Sequence, residues 1–501
     1  MTTLSPLQYA LANNPLCLFG TGTESDRMGP VRIVLTALLL LASAVTTGIS
    51  VTVLPYYNNR SGQIEPLVYL TIALWALFAV SVLALRTVER RAAIVLVIAG
   101  SVAIGGAALL GPPNTSTDSA RYAWDGIVQK AGISPYRYVP ADAALTDLRE
   151  DWLFPAPVVG PSGEPECVGS RIMAVEEPGT GELVCTAINR ATVPTIYPPT
   201  SEIAFVGIRL FVGADQQYWP MQLAGLVLSL GTTLLLLRTL VARGRDPRWA
   251  ALWGWSPLVA TEAVTNSHID VLAALLLLVA TVLAASDRRW LAGIALGASI
   301  ATKLIPAIGT PALLRPRPWK LLIAAVATFA LLYVPYIAAS GFGVLGYLPG
   351  YLSEEGYNTG SRFILLSPLF PGIGATVVAA ILIAATAALV WWKSDPADPW
   401  LSSLIMIGTV LLILTPRYPW YALLLVPFIA MTGRWEWMLV PLALTERLLI
   451  PSLPFSQVSA GIAIVVIVVI SARRSGGIPV KHWAVRAQRA FARRRPDVTE
   501  R

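Results

Sequence analysis

Charge is scarce in this chain. Asp, Glu, Lys and Arg together make up 13% of its 501 residues, about half of what soluble globular domains carry, and that excludes an ordinary water-soluble fold. Histidine is limited to His268 and His482, and cysteine to Cys17, Cys167 and Cys185. Neither supplies a set with metal-ligand spacing, so no metal centre is expected and no cofactor is called for. No internal repeat is visible, which argues against the paired repeats of a secondary transporter. The segment before the first apolar run, residues 1–30, has no small-residue cleavage site and reads as a retained cytoplasmic tail rather than a leader peptide.

What fills the chain instead is apolar length. Hydrophobic residues make up 55% of it, and runs of the roughly 20 residues that span a bilayer recur from Val31 to Ile470. The expected fold is therefore all-α, a polytopic transmembrane helical bundle with about 12–14 helical segments. Its expected spans are 31–53, 67–86, 92–110, 218–241, 249–264, 267–285, 290–314, 319–339, 366–392, 400–415, 418–432, 437–451 and 457–472. Lys and Arg collect on the cytoplasmic side of membrane proteins. The clusters Arg86/Arg90/Arg91, Arg243/Arg245/Arg248, Arg288/Arg289, Arg315/Arg317/Lys320, Lys393, Arg434 and the tail 473–501 belong there. Parity holds only if 290–314 is broken at Thr302-Lys303 into two short helices that go out and come back. The net charge of +8 then reflects this bias and a basic tail suited to anionic membrane lipids; it does not indicate nucleic acid.

Residues 111–200 form the long outer loop, with eleven acidic and six basic side chains. Cys167 and Cys185 are its only cysteines, and an exported loop permits a disulfide; the bridge is expected over two free thiols. The loop opens with Asp118, an acid at the edge of an apolar run, where charge is costly without a task. Ala120, Trp124, Ile127, Val128 and Ala131 share one helical stripe, and Asp118, Arg121 and Asp125 another. This pattern predicts a helix lying in the membrane interface with its polar stripe turned upward. Residues 155–165, rich in Pro and Gly, are expected to be irregular. Glu202 to Val212 reads as a second interfacial helix.

Other polar residues fall on the same outer side: Asn266, His268 and Asp270 at the start of a span, Lys303 at the apex of the hairpin, Glu354, Glu355 and Arg362 in the loop 340–365, and Arg417 at a turn. Structural ion pairs have no reason to choose a side, so the convergence predicts a site at the outer interface. A carboxylate there suits deprotonation of a hydroxyl, and the cations suit a phosphate. Each residue also has a plainer role: Asp118 as a helix N-cap, Lys303 as a snorkelling anchor, Arg417 as a packed turn residue.

The strings Asp118-Ser-Ala-Arg-Tyr122, Gly132-Ile-Ser-Pro-Tyr136, Tyr197-Pro-Pro199, Asn266-Ser-His-Ile-Asp270, Ala301-Thr-Lys-Leu-Ile-Pro306 and Pro419-Trp-Tyr421, in this order, resemble the GT-C integral-membrane glycosyltransferases. More narrowly they are similar to the actinobacterial polyprenyl-phosphate-mannose-dependent α-mannosyltransferases, over about residues 92–432. The resemblance implies a catalytic domain over 31–472 that moves a hexose, mannose by preference, with inversion. The donor would be a polyprenyl phosphate sugar, the acceptor a glycolipid or cell-envelope glycan at the outer face of the plasma membrane, and Asp118 the general base. It implies Lys303, Arg417 and Arg362 around the donor phosphate, and Arg121, Tyr122, Asp125, Tyr197, Asn266, His268 and Asp270 around the substrates. Arabinose or another sugar is the alternative donor, and a lipid or solute transporter the alternative class. Two features depart from the family pattern. Asp125 stands two turns from Asp118, so the acidic pair that many relatives carry, and with it a divalent cation, is not indicated; and two leading spans precede the helix before the loop.

Overall fold

The structure is a computed structural model and describes residues 24–54 and 64–474. Expectations for the tail beyond Arg474, for Cys17, for His482 and for most of the N-terminal segment lie outside the described residues. The architecture is all-α. Among the described residues seven helices are long and apolar enough to cross a membrane, and a bent pair makes an eighth candidate.

The chain starts with α1 (Glu24–Val53), α2 (Ile64–Leu85) and α3 (Arg90–Ala107). The long loop carries α4 (Asp118–Lys130), two short antiparallel hairpins, and α5 (Pro199–Arg209). Then come α6 (Trp219–Ala242), a π-helical turn at Val259–Thr265, α7 (Asp270–Ala285), α8 (Arg289–Ile300), a 3₁₀ return at Ile305–Leu313, and α9 (Pro318–Ser340). After α10 (Leu348–Glu354) follow α11 (Ile373–Lys393), α12 (Trp400–Leu414), a 3₁₀ segment Pro419–Leu424, α13 (Val426–Thr432), α14 (Leu439–Leu449) and α15 (Leu453–Arg474).

Two networks of contacts define the ends of the bundle. At one, Arg248 Nε donates to the carbonyl of Val88 at 3.0 Å, Arg243 to those of Ala397 and Ala285, and Arg315 to that of Trp392. Arg245 pairs with Asp398, Arg317 with Asp287, and Arg474 with Glu436. The arginine-rich loops expected on one side are thus joined to one another. The hairpin at Thr302-Lys303 is present: Arg289, at the start of α8, donates to the carbonyls of Leu313 and Arg315 at the end of the return. Its apex lies at the opposite end, where Thr200 N donates to the carbonyl of Ala301 and Ser201 Oγ to that of Thr302.

The long loop 111–200 corrects three expectations. In α4, ten of thirteen residues are buried, so the helix is enclosed by protein rather than resting on lipid. Ala120, Trp124, Ile127 and Val128 pack against Leu145, Leu153, Phe154 and Ile188 of the loop itself, while Ala131 is exposed. The helical stripe was real, but the loop is long enough to build its own apolar core, a partner that periodicity cannot distinguish from a bilayer. Residues 158–166 are also not wholly irregular, since β1 (Val158–Val159) pairs with β2 (Pro165–Glu166). The stretch read as Glu202 to Val212 is α5, beginning at Pro199, where proline's missing N–H costs nothing in the first turn. It buries Glu202, Phe205 and Arg209 instead of lying free on the interface. A second hairpin, β3 (Met173–Glu176) with β4 (Leu183–Thr186), holds Cys185, which is bonded to Cys167.

Candidate active site

At the end of the bundle opposite the arginine network lies a cavity of about 460 Å³. Asp118, Asn189, Arg190, Lys303 and Arg362 supply its charge and polarity; Tyr351, Tyr357, Tyr418, Trp420 and Tyr421 supply flat faces. Leu304, Leu348, Leu352, Leu411 and Leu414 make it apolar elsewhere. The lining combines one carboxylate with three cations.

Asp118 is the first residue of α4. An acid in the first turn gains from the helix dipole, and its backbone N–H is held by Ser116 Oγ at 3.1 Å. Asn189 donates to Oδ1 at 2.6 Å, and His268 Nδ1 stands 3.6 Å from Oδ2. The side chain keeps 15% of its surface exposed, while His268 is wholly buried.

The bend that delivers His268 has a local cause. The π-helical turn and α7 meet at 111°, and the turn between them puts Ser267 at φ 51°, in the left-handed region. Such a conformation persists only when the surroundings impose it. Asn266 imposes it here: its Oδ1 accepts from the N–H groups of Asn114 and Thr115 at 3.0 and 3.1 Å, and its Nδ2 donates to Thr115 Oγ1 at 2.6 Å. Asn266 thereby ties this bend to the strand of chain that leads into Asp118. The His268 ring is stacked on Trp420, with centroids 3.8 Å apart.

Each cation has a carboxylate partner that is not itself in the lining. Lys303 Nζ donates to both oxygens of Asp270, at 3.0 and 2.8 Å, and lies 4.7 Å from the centre of the Tyr421 ring. Arg362 is paired with Glu355 and packs over Tyr357. Arg190 donates to Glu354 at 3.1 Å. Lys303 has three N–H donors, so the pair with Asp270 leaves one for the cavity.

The remaining expected site residues divide into neighbours and supports. Tyr197 lines the cavity; its hydroxyl donates to that of Tyr122 at 3.4 Å, and Tyr122 lies 3.5 Å from His268 Nδ1. Burial pushes both phenols well above their usual value of 10.0, so they stay neutral donors. Arg121 and Asp125 are buried away from the cavity and joined to each other at 2.9 Å, with Arg121 also donating to the carbonyl of Val193 at 3.2 Å. They fasten α4 to the loop. Arg417 is exposed at its turn and is not among the lining residues, whereas Pro416 and Tyr418 on either side of it are. Asn266 and Asp270 act behind the lining.

Three residues here escaped the sequence reading. Asn189 and Arg190 sit in a loop with no periodicity to mark them. Glu262 had a signal, as an acid inside an apolar span, and it is buried in the π-helical turn with Oε2 3.3 Å from His268 Nε2. Among the described residues no group of three or more His, Cys, Asp or Glu side chains is arranged to hold a metal ion. Asp118 meets an amide and an imidazole instead.

A helical membrane bundle that brings one carboxylate and three cations around a single cavity at its end can carry acid–base chemistry on a polar substrate at the membrane. In agreement, the model of Glycosyltransferase family 87 matches residues 195–416, somewhat less than half of the chain. That stretch runs from the end of the long loop through Lys303 and Arg362, and the match indicates a membrane glycosyltransferase. No curated protein and no solved structure matches the chain.

Proposed function

We propose that the protein transfers a hexose, mannose by preference, from a polyprenyl phosphate to a glycolipid or envelope glycan, with the cavity opening on the outer face of the plasma membrane. The observation that carries the reading is the sharing of one cavity by Asp118 and the cations Lys303, Arg362 and Arg190. Asp118 takes the proton of the acceptor hydroxyl; the oxygen forms a bond to the anomeric carbon, and the bond from that carbon to the phosphate oxygen breaks on the opposite face. The leaving polyprenyl phosphate carries away the electron pair. Its charge grows as the bond breaks, which is where fixed cations lower a barrier most. A β-linked donor therefore gives an α-glycoside. The leucines give the lipid chain an apolar path, and the aromatic faces suit the apolar side of a sugar ring. Arg417, exposed at the rim, is left with approach of the anion rather than contact with it.

The test is transfer of radiolabelled mannose from polyprenyl phosphomannose by the purified protein. Asp118→Asn should lower turnover by about 10²- to 10⁴-fold, the usual contribution of a general base, while donor binding persists. Wild-type turnover by this variant would end the proposal; absence of any Asp118-dependent product with mannose would redirect it to another sugar, arabinose first.

A further inference from the structure

Glu262 is 2% exposed and sits in a π-helical turn, a local geometry found disproportionately at functional sites. Its Oε2 accepts from Asn266 Nδ2 at 3.2 Å and lies 3.3 Å from His268 Nε2, which has no well-formed hydrogen bond. The other ring nitrogen of His268 faces the Tyr122 hydroxyl at 3.5 Å and Asp118 Oδ2 at 3.6 Å. The ring is clamped against Trp420 and has no exposed surface. Carboxylate, imidazole and carboxylate thus follow in line from the cavity wall into the bundle. The nearby ammonium, Lys303, is committed to Asp270, so Glu262 is not there to neutralise it. Holding Asn266 would require only one neutral acceptor oxygen, which a glutamine supplies.

We propose that His268 and Glu262 relay the proton that Asp118 removes from the acceptor hydroxyl, an inference that rests on the reading of Asp118 as the base. The relay requires Asp118 and Glu262 to be carboxylates before transfer and His268 to be neutral with its proton on Nε2. After it, the proton from the hydroxyl has passed through Asp118 to His268 Nδ1, and the Nε2 proton has moved to Glu262. Asp118 ends as a carboxylate, His268 as the other neutral tautomer and Glu262 as a carboxylic acid, so one proton has crossed and no charge is left on the ring. The distances of 3.6 and 3.3 Å are those of a resting site, where such contacts run long and tighten with substrate bound. Glu262 also borders a second cavity of about 30 Å³, walled by Ser50 of α1, Thr71 and Trp75 of α2, and Thr445. That space is large enough for one water molecule, which can take the proton on from Glu262. It also gives the two leading helices a part in the reaction. Clearing the proton from Asp118 restores the base while polyprenyl phosphate is still bound, and keeps the acid from re-protonating the new glycosidic oxygen.

The experiment is single-turnover mannosyl transfer from polyprenyl phosphomannose by the full-length protein in mixtures of H₂O and D₂O. In the wild type the rate should fall along a curve as the deuterium fraction rises, the mark of more than one proton in flight. Glu262→Gln, which keeps the acceptor for Asn266, should lower the rate by about 10²-fold, at the low end for acid–base groups. It should leave the donor KM unchanged and straighten the curve, and Glu262→Asp should recover part of the rate. A straight dependence in the wild type overturns the relay even if the variants fail to fold, and so does a Glu262→Gln protein at the wild-type rate. In both cases an inactive Asp118→Asn leaves the base in place, whereas an active Asp118→Asn removes the base and the relay together.

Discussion

Asn189 donates a 2.6 Å hydrogen bond to Asp118 Oδ1 from 71 residues further along the chain. The bond closes the long loop on itself and fixes the carboxylate rotamer, leaving Oδ2 to face His268. Asn189→Ala frees that rotamer, and misplacement of a reacting group by about 1 Å can cost 10²-fold. Turnover should therefore fall by about 10- to 100-fold with the donor KM unchanged, as steady-state mannosyl transfer will report. Asn189→Asp should be worse than alanine, because it sets a second carboxylate against the first.

Lys303 and Asp270 form a buried pair, with side-chain exposures of 17% and 5%. Removing one partner of such a pair costs about 3–5 kcal/mol by stranding the other charge. Lys303→Met should thus lower the apparent Tm sharply in detergent, and adding Asp270→Asn should restore much of it. Activity should not follow. The double variant still lacks one of the three cations for the phosphate, so its donor KM stays raised. Recovery of activity together with stability would assign Lys303 to the fold alone.

Glu202 gives stability a pH slope. It is fully buried, accepting from Thr195 Oγ1 at 2.9 Å and Gln129 Nε2 at 2.8 Å. Burial, and after it the charge of Asp125, raises its carboxyl well above the ordinary 4.5. Below about 4.5 the folded and unfolded forms are both protonated and the contribution is complete. Above it the unfolded chain ionises while the folded one holds its proton, so stability falls with rising pH until the folded group titrates, by up to about 1.4 kcal/mol per pH unit for one proton. Apparent Tm measured from pH 5 upward should decline, and Glu202→Gln should flatten the decline.

How much of this was legible in the sequence depended on whether a residue's partner was near in the chain or far from it. The seven long spans followed from apolar length, whereas the expected spans 249–264, 400–415, 418–432 and 437–451 are shorter or broken helices; the break at Thr302-Lys303 followed from charge parity. Asp118 and Lys303 stood out because charge in an apolar setting is itself a signal. The surroundings of α4 were not legible: a stripe of Ala120, Trp124, Ile127 and Val128 announces that something apolar covers it, and the covering residues lie up to 68 positions downstream. Arg121 and Asp125 looked like site residues for the same reason, since a polar stripe on a helix does not reveal that Val193 and Glu202 will close over it. Asn189 is chosen by tertiary geometry alone.

Gly126 sets how closely α4 lies on α5. A Cβ built there would stand 2.6 Å from the carbonyl oxygen of Phe205 and 2.8 Å from Arg209 Cγ. In an open helix, alanine would gain about 1 kcal/mol over glycine, so the sign of Gly126→Ala depends on whether the neighbour can yield. The obstacle is backbone, which moves only if the helices part, and parting them also loosens Tyr122 from Phe205, now stacked with centroids 4.5 Å apart. Overpacking of this kind costs about 1–3 kcal/mol, enough to outweigh the gain in propensity. Because α4 carries Asp118 at its first residue, the displacement reaches the carboxylate as well. Gly126→Ala should lower both the apparent Tm and kcat, and Gly132→Ala serves as the comparison: its φ of 80° strains the turn that ends α4, but no atom lies within 4 Å of its Cβ, so its cost should fall on stability with a smaller loss of kcat. A Gly126→Ala protein more stable than the wild type would show that α4 and α5 are not in backbone contact, and the positioning of Asp118 would then rest on Asn189 and Ser116 without them.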